Sequence, residues 1–414
     1  MFKAKPFSID KREVWEAYKQ VKKNRGAAGV DGQTISKFEK DLKNNLYRIW
    51  NRMSSGCYMP PPIRRVEIPK GDGGTRPLGI PTVSDRIAQM VVKRYLEPKV
   101  EPVFHPHSYG YRPGRSAHQA LAIVRQRCWR YDWVLDLDIK GFFDNIDWTL
   151  LMRAVRHHTK CKWVLLYIER WLRAPVCMPD GTWDARLKGT PQGSVISPIL
   201  ANLYLHYALD RWLQEHHPEI PFERYADDVI CHCRSEKEAV ALRHALEGRL
   251  GVCKLELHPG KTKIVYCKDT NRRGSYPLQK FDFLGFTFRP RRAMNSKGKL
   301  FVSFSPAVSD KAAKAMRVQI RRWRLHRHND LELAEVACWI RPKLLGWVRY
   351  YGRFRSSALL AALRTIDEFI VRWAQRKYKT FRGRTMKAWD WLSRVKTEQP
   401  ELFPHWAVGK LVGR

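Results

Sequence analysis

Two aspartates stand side by side at Asp227 and Asp228, inside the run Tyr225-Ala226-Asp227-Asp228-Val229-Ile230. Adjacent residues on a straight strand point to opposite faces, so both carboxylates reach one place only if the chain turns tightly there. Such pairs often occupy solvated turns. This one is embedded between apolar strand residues, where unpaired carboxylates are costly unless a metal or cations balance them. Carboxylate oxygens are hard ligands of the kind magnesium takes. Two such ions about 4 Å apart can lower the pKa of a 3′ hydroxyl and neutralise a leaving pyrophosphate, which is what joining a nucleotide to that hydroxyl requires. A third carboxylate must come from a neighbouring strand. Trp133-Val134-Leu135-Asp136-Leu137-Asp138-Ile139 alternates apolar and acidic residues as a strand does, and Asp138 ends it. Asp136 shares its face, and Asp144 and Asp147 follow, so spacing alone leaves the third ligand open.

The elements that must position these groups follow from apolar periodicity. Residues 9–24 (Val14, Ala17, Tyr18, Val21) and 34–53 (Phe38, Leu42, Leu46, Ile49) read as helices. The stretch 64–81 reads as two short strands joined by a Gly-rich hairpin tipped with Lys and Arg. A helix is expected from Val83 to Leu96, then a loop at 108–115, the strand ending at Asp138, further helices with the longest from about Ile199 to His216, and a strand pair from Phe222 to His232 with the double Asp at its turn. Short strands are expected at 263–267 and 281–288. Beyond them lie three helical patterns, 309–325, 331–351 and 356–379, the last with Leu359, Leu363, Ile366, Ile370 and Trp373 on one stripe. Pro342 is expected to kink or split the middle one. A polar link near 290–305 marks the expected domain boundary.

Charge says what this machinery acts on. Among 414 residues, 77 Lys or Arg face 40 Asp or Glu, a formal net charge of +37. Self-repulsion of that size makes a polyanion the simplest partner, nucleic acid ahead of an anionic membrane. Residues 289–414 carry 29 basic against 9 acidic residues, so the C-terminal region is the more basic part. Sixteen Trp, sixteen Tyr and seventeen Phe are interleaved with these cations, a mixture that can pack a core and stack on bases. The nine cysteines show neither Cys-x-x-Cys nor zinc-finger spacing, which fits a reducing compartment. No apolar stretch is long enough to span a membrane, and the start lacks the apolar core of a secretion signal.

Three blocks carry a family resemblance. Asp138-Ile139-Lys140-Gly141-Phe142-Phe143-Asp144-Asn145-Ile146, Thr190-Pro191-Gln192-Gly193-Ser194-Val195-Ile196-Ser197-Pro198 and Tyr225-Ala226-Asp227-Asp228 resemble, in order and spacing, the core blocks of reverse transcriptases encoded by group II introns. The 64–81 hairpin, the Tyr109–Arg115 loop and Phe283-Leu284-Gly285-Phe286 extend the likeness over nearly the first 290 residues. Leu345-Gly346-Trp347-Val348-Arg349-Tyr350-Tyr351 and the helix after it are similar to the thumb, or domain X, of the maturases of that family.

The resemblance implies an α+β right-hand polymerase, with fingers and palm over 1–300, a helical thumb or domain X over 301–385 and a basic tail over 386–414. It implies RNA-templated DNA synthesis with two Mg²⁺ ions, Mn²⁺ being the substitute, on Asp138, Asp227 and Asp228 with the Ile139 carbonyl; Asp136 becomes structural. It implies Lys70 and Arg76 as a triphosphate clamp, Gln192 against the incoming nucleotide, Phe143 as a gate against the ribose 2′ hydroxyl, and Lys261, with Lys263 as competitor, near pyrophosphate. Arg317, Arg321, Arg322 and Arg324 read as a basic helix for RNA. The implied partners are group II intron RNA, an RNA template with its DNA primer, deoxynucleotides and a DNA target, in the cytoplasm of a bacterium. The alternatives are a domesticated relative in host defence or DNA repair, and an RNA-binding splicing factor.

Overall fold

The structure is a computed structural model that describes residues 5–69 and 74–411. It is a mixture of helix and sheet, as expected for α+β, and divides into two compact units. The first comprises 1–120 and 134–264, the second 121–133 and 265–414. Eleven strands are described: β1 (Ile63–Pro69), β2 (Thr75–Ile80), β3 (Trp133–Leu137), β4 (Val176–Cys177), β5 (Trp183–Asp184), β6 (Phe222–Tyr225), β7 (Asp228–Cys233), β8 (Lys263–Tyr266), β9 (Phe281–Phe283), β10 (Phe286–Met294) and β11 (Leu300–Val308).

In the first unit, Asp10 caps the helix Lys11–Asn24, whose Val14, Ala17, Tyr18 and Val21 are buried as their spacing requires. The helix expected over 34–53 is two helices, Ile35–Glu39 and Leu42–Ser54. Asp41 is the reason: its backbone leaves helical geometry and it stands as the N-cap of the second piece. The 64–81 stretch is the antiparallel hairpin β1–β2, continued by β4 and β5 in the order β2-β1-β4-β5. Lys70, at the tip of that hairpin, lies outside the described residues. The helix Val83–Val100 is buried almost all round, which explains its weak amphipathic pattern. A second sheet has the order β6-β7-β3-β8, and the chain leaves the unit along β8. The segment from Ile199 to His216 joins Ser197–Leu205 and Arg211–His216 through a π-helical turn, His206–Asp210.

In the second unit, the segment read as a polar link is instead the long hairpin β10–β11, registered from Phe286↔Val308 to Met294↔Leu300 and extended by β9. A basic stretch hid it: Phe286, Phe288, Phe304 and Ala307 are buried, while Arg289-Pro290-Arg291-Arg292 interrupts the apolar pattern and Met294, Leu300 and Phe301 at the far end are exposed. The helices Asp310–Trp323, Leu333–Tyr351 and Ser356–Lys377 follow, and the stripe Leu359, Leu363, Ile366, Ile370 and Trp373 is buried as read. Pro342 does not split its helix. The residues read as a basic tail fold as the helices Thr385–Glu398 and Pro404–Leu411; Leu392 and Trp406 on them, and Phe403 in the turn between, share the core of Trp373 and Ile366. Buried Asp367 fastens them, accepting from Lys396 Nζ (2.7 Å) and Trp406 Nε1 (2.9 Å) and facing His405 Nε2 (3.2 Å). Among the described residues no helix is long and apolar enough to cross a membrane.

Candidate active site

The turn between β6 and β7 pairs Tyr225 with Asp228 and leaves Ala226 and Asp227 as its two central residues. Ala226 has φ +58°, a left-handed conformation that costs an alanine about 1–2 kcal/mol, and this bend is what sets the two carboxylates side by side. Buried partners hold it. Arg224 Nη1 donates to the Ala226 carbonyl (3.0 Å) and to Asn202 Oδ1 (2.9 Å), while its Nε and Nη2 form a two-pronged ion pair with Asp210 at 2.7 and 2.6 Å. Arg224 and Asp210 have no exposed side-chain surface. Asn202 Nδ2 in turn donates to the Gly110 carbonyl (2.7 Å). Gly110 lies so close to the turn that a Cβ there would come within 2.3 Å of the Ala226 nitrogen, which excludes any other residue. The loop carrying Gly110 is tied along β6 by Tyr109 N to Arg224 O (2.8 Å) and Arg224 N to His107 O (3.0 Å).

Asp138 follows β3 directly, and its carbonyl accepts from His258 N (2.7 Å). With Lys140 N donating to Glu256 O (2.9 Å), these bonds flank an Ile139–Leu257 bridge of the non-hydrogen-bonded kind, so the Ile139 carbonyl is not spent on it. The same loop brings Lys261 Nζ to 3.1 Å from Asp138 Oδ2; among the described residues it is Lys261, not Lys263, that meets an aspartate. Burial first, then the charges of Asp227 and Asp138, push the Asp228 carboxyl up to about 6. Its side chain still opens to solvent, so the two like charges are the sounder cause. Asp227 is also raised, by burial and then by Asp138, against the pull of Arg76 and Arg224.

The donor chemistry fits divalent cations: an Asp228 carboxyl raised by the charges of Asp227 and Asp138, a carbonyl that its bridge leaves unspent and an open face. Among the described residues no three carboxylates, imidazoles or thiolates are drawn close enough to hold an ion as they stand. Asp138 is engaged with Lys261.

The Arg76 Nε on β2 donates to Gln192 Oε1, so two residues read from separate blocks meet. Backbone holds their segments together: Gly79 N donates to Gln192 O (2.7 Å), and a Cβ on Gly193 (φ +109°) would fall 2.6 Å from the Gly79 oxygen. Gly193 thus packs directly against β2. Gln89 Oε1 accepts from Val195 N (2.8 Å) and Ile196 N (3.3 Å), and its Nε2 donates to buried Asp85 (2.9 Å). Phe143 is buried, at 4 % exposure, and its carbonyl accepts from Thr190 N (2.8 Å), so it borders the same loop.

Sequence reasoning missed Tyr111, Arg224, Asn202, Asp210, Asp85 and Gln89. Tyr111 sits at φ +59° with a hydroxyl pushed up by burial and by Asp227. No signal singled out Arg224, since half of β6 is charged and Glu223 stands beside it. In the second unit, Arg317, Arg321 and Arg322 lie on the helix Asp310–Trp323, while Arg324 is its C-cap at φ +49° and so is not part of the helix itself.

The chain matches the family described as reverse transcriptase (RNA-dependent DNA polymerase) over residues 68–288, a span that includes Arg76, Asp138, Gln192, Asp227, Asp228 and Lys261. It matches the group II intron, maturase-specific domain over residues 313–389. Protein YkfC of Escherichia coli (strain K12) is 34% identical over 293 residues, 61% of this chain and 77% of that protein. Group II intron-encoded protein LtrA of Lactococcus lactis subsp. cremoris is 36% identical over 217 residues, 52% of this chain and 35% of LtrA. An uncharacterized 91 kDa protein in the cob intron of Schizosaccharomyces pombe is 32% identical over 221 residues, 53% of this chain and 27% of that protein. The matched stretch is thus well under half the length of the latter two.

Proposed function

The chain belongs to the group II intron-encoded reverse transcriptases and maturases, a family of RNA-directed DNA polymerases with roles in intron splicing and mobility, and on that footing we propose how its own residues divide the work. Asp138, Asp227, Asp228 and the Ile139 carbonyl hold two divalent ions, Mg²⁺ in the cell, at the turn between β6 and β7. Bound there, the ions supply a lowered pKa for the attacking 3′ hydroxyl and charge neutralisation for the pyrophosphate that leaves. Arg76, with Lys70, takes the triphosphate, since a guanidinium and an ammonium pair with phosphate oxygens. Gln192 orients the incoming nucleotide once its bond to Arg76 opens. Phe143 closes the space beside the ribose 2′ position, and Lys261, released from Asp138, delivers a proton to the departing pyrophosphate.

In this reading residues 1–300 are fingers and palm of a right-hand polymerase, 301–385 the helical thumb and maturase domain, and 386–414 the basic C-terminal segment. The substrates are an RNA template with a DNA primer and deoxynucleotides. Group II intron RNA and a DNA target are the other partners, and Arg317, Arg321, Arg322 and Arg324 contribute to gripping RNA. The observation that carries the reading is the mutual charge of Asp138, Asp227 and Asp228 at a turn whose bend is enforced from beneath. Primer extension on an RNA template with Mg²⁺ and deoxynucleotides tests it. Wild type is expected to extend the primer and Asp228→Ala to fall to background; equal extension by the two contradicts the reading.

A further inference from the structure

A recess of about 800 Å³ opens within the second unit, whereas the three aspartates belong to the first. It lies within the roughly 300–1,000 Å³ range of ligand sites. Its walls come from the end of the helix Ala117–Cys128, the 269–271 loop, the β10–β11 hairpin and the start of the helix Ser356–Lys377. The walls are fixed. Trp129 Nε1 donates to the Phe304 carbonyl (2.9 Å), Arg272 ties Cys128 O (2.8 Å) to Cys267 O (2.6 Å), and Thr270 Oγ1 accepts from Val302 N (2.6 Å).

The lining is aromatic and cationic. Trp129 and Phe301 remain 42% and 38% exposed, so part of each ring is open to a ligand in the recess. The Arg125 guanidinium lies over the Trp129 ring at 4.6 Å and near Phe354 at 5.9 Å. Lys299 and Arg355 are exposed on the rim, and neither pairs with a carboxylate among the described residues. The one acidic residue of the described lining, Asp269, is engaged by Arg272 Nη1 (3.3 Å) and by the Asn271 and Arg272 nitrogens (2.8 and 3.0 Å), so its charge is already answered. Among the described residues, three cations are left facing a recess with no counter-charge of their own. Nearby Arg291 is lowered to about 10 by burial and by Arg289 and Arg355, a local excess of positive charge that an anion would relieve.

We propose that this recess binds a single-stranded stretch of RNA, with bases stacked on Trp129 and Phe301 and phosphates on Arg125, Lys299 and Arg355. The inference rests on the reading that the chain works on nucleic acid. Exposed ring faces serve unpaired bases, because a duplex keeps its bases stacked on each other. The Asn271 amide and the Ser303 hydroxyl line the same space and offer partners to a 2′ hydroxyl, which favours RNA over DNA.

The test is fluorescence anisotropy of the full chain with a labelled unpaired oligoribonucleotide of about 10 nucleotides. Trp129→Ala is expected to weaken binding about 5- to 100-fold, the range for loss of one base stack. The double variant K299E/R355E, altered only at exposed side chains, is expected to reduce the slope of log affinity against log salt by about 0.7 for each phosphate it no longer neutralises. It carries the test should Trp129→Ala fail to fold by circular dichroism. Unchanged affinity and slope in folded variants overturn the assignment, and so does a loss confined to an oligodeoxynucleotide of the same length. Primer extension on a saturating, pre-annealed template and primer is run alongside. If wild type fails there while the variants still lose RNA, the polymerase reading falls and this site stands.

Discussion

Arg224 shows how little of an active site need touch substrate. Its guanidinium answers three demands at once: the Asp210 charge, the Asn202 amide and the carbonyl of a left-handed Ala226. Removing one partner of a fully buried ion pair strands the other, at about 3–5 kcal/mol, whereas replacing both with apolar residues is often neutral. Arg224→Met is therefore expected to lower unfolding free energy by that amount, and R224M/D210L to recover most of it. Nucleotide addition should not recover with it, because the turn still lacks its donor, and should stay at least about tenfold slow by single-turnover measurement. Recovery of both stability and rate in the double variant would show that the pair is merely structural.

At the scale of elements, the helix Val83–Val100 reaches the loop of Gln192 through Asp85 and Gln89. Asp85 accepts from Tyr58 (2.9 Å), Trp171 (2.7 Å) and Gln89 (2.9 Å) with no cation among these partners, and burial pushes its carboxyl up to about 6. The folded chain thus holds this proton more tightly than the unfolded one, whose value is near 3.8. The ionised group's cost is present in full above about pH 6 and is relieved as pH falls from there toward 3.8. Urea unfolding should show wild type gaining on Asp85→Asn over that window, by on the order of 3 kcal/mol; a constant difference contradicts it. This network was illegible in sequence, since a lone Asp and Gln one helical turn apart match many surface pairs. The helix Lys11–Asn24 and the stripe Leu359 to Trp373 were legible because one face is buried and one is wet. The hairpin β10–β11 was not, because Arg289-Pro290-Arg291-Arg292 and the 295–299 turn are polar enough to pass for a link. The break at Asp41 and the C-terminal helices were hidden likewise, one by a local cap and the other by packing among residues far apart in sequence.

For the whole molecule, net charge governs the encounter with nucleic acid. With +37 overall and the C-terminal 126 residues carrying +20 of it, several phosphate contacts are expected. Template affinity should then fall about 10³-fold or more between 50 and 200 mM salt. A nearly flat titration would remove charge as the driver of binding. The central claim is narrower: that copying RNA depends on Asp138 together with Asp227 and Asp228, and not on Asp136, which shares a strand pattern with Asp138. Single-turnover addition of one deoxynucleotide on an RNA template, with Asp138→Asn and Asp136→Asn measured beside wild type, tests it most directly. Loss of about a thousandfold or more in Asp138→Asn, with Asp136→Asn within about tenfold of wild type, is the expected result. The reverse order, or equal rates in the two, would contradict the account.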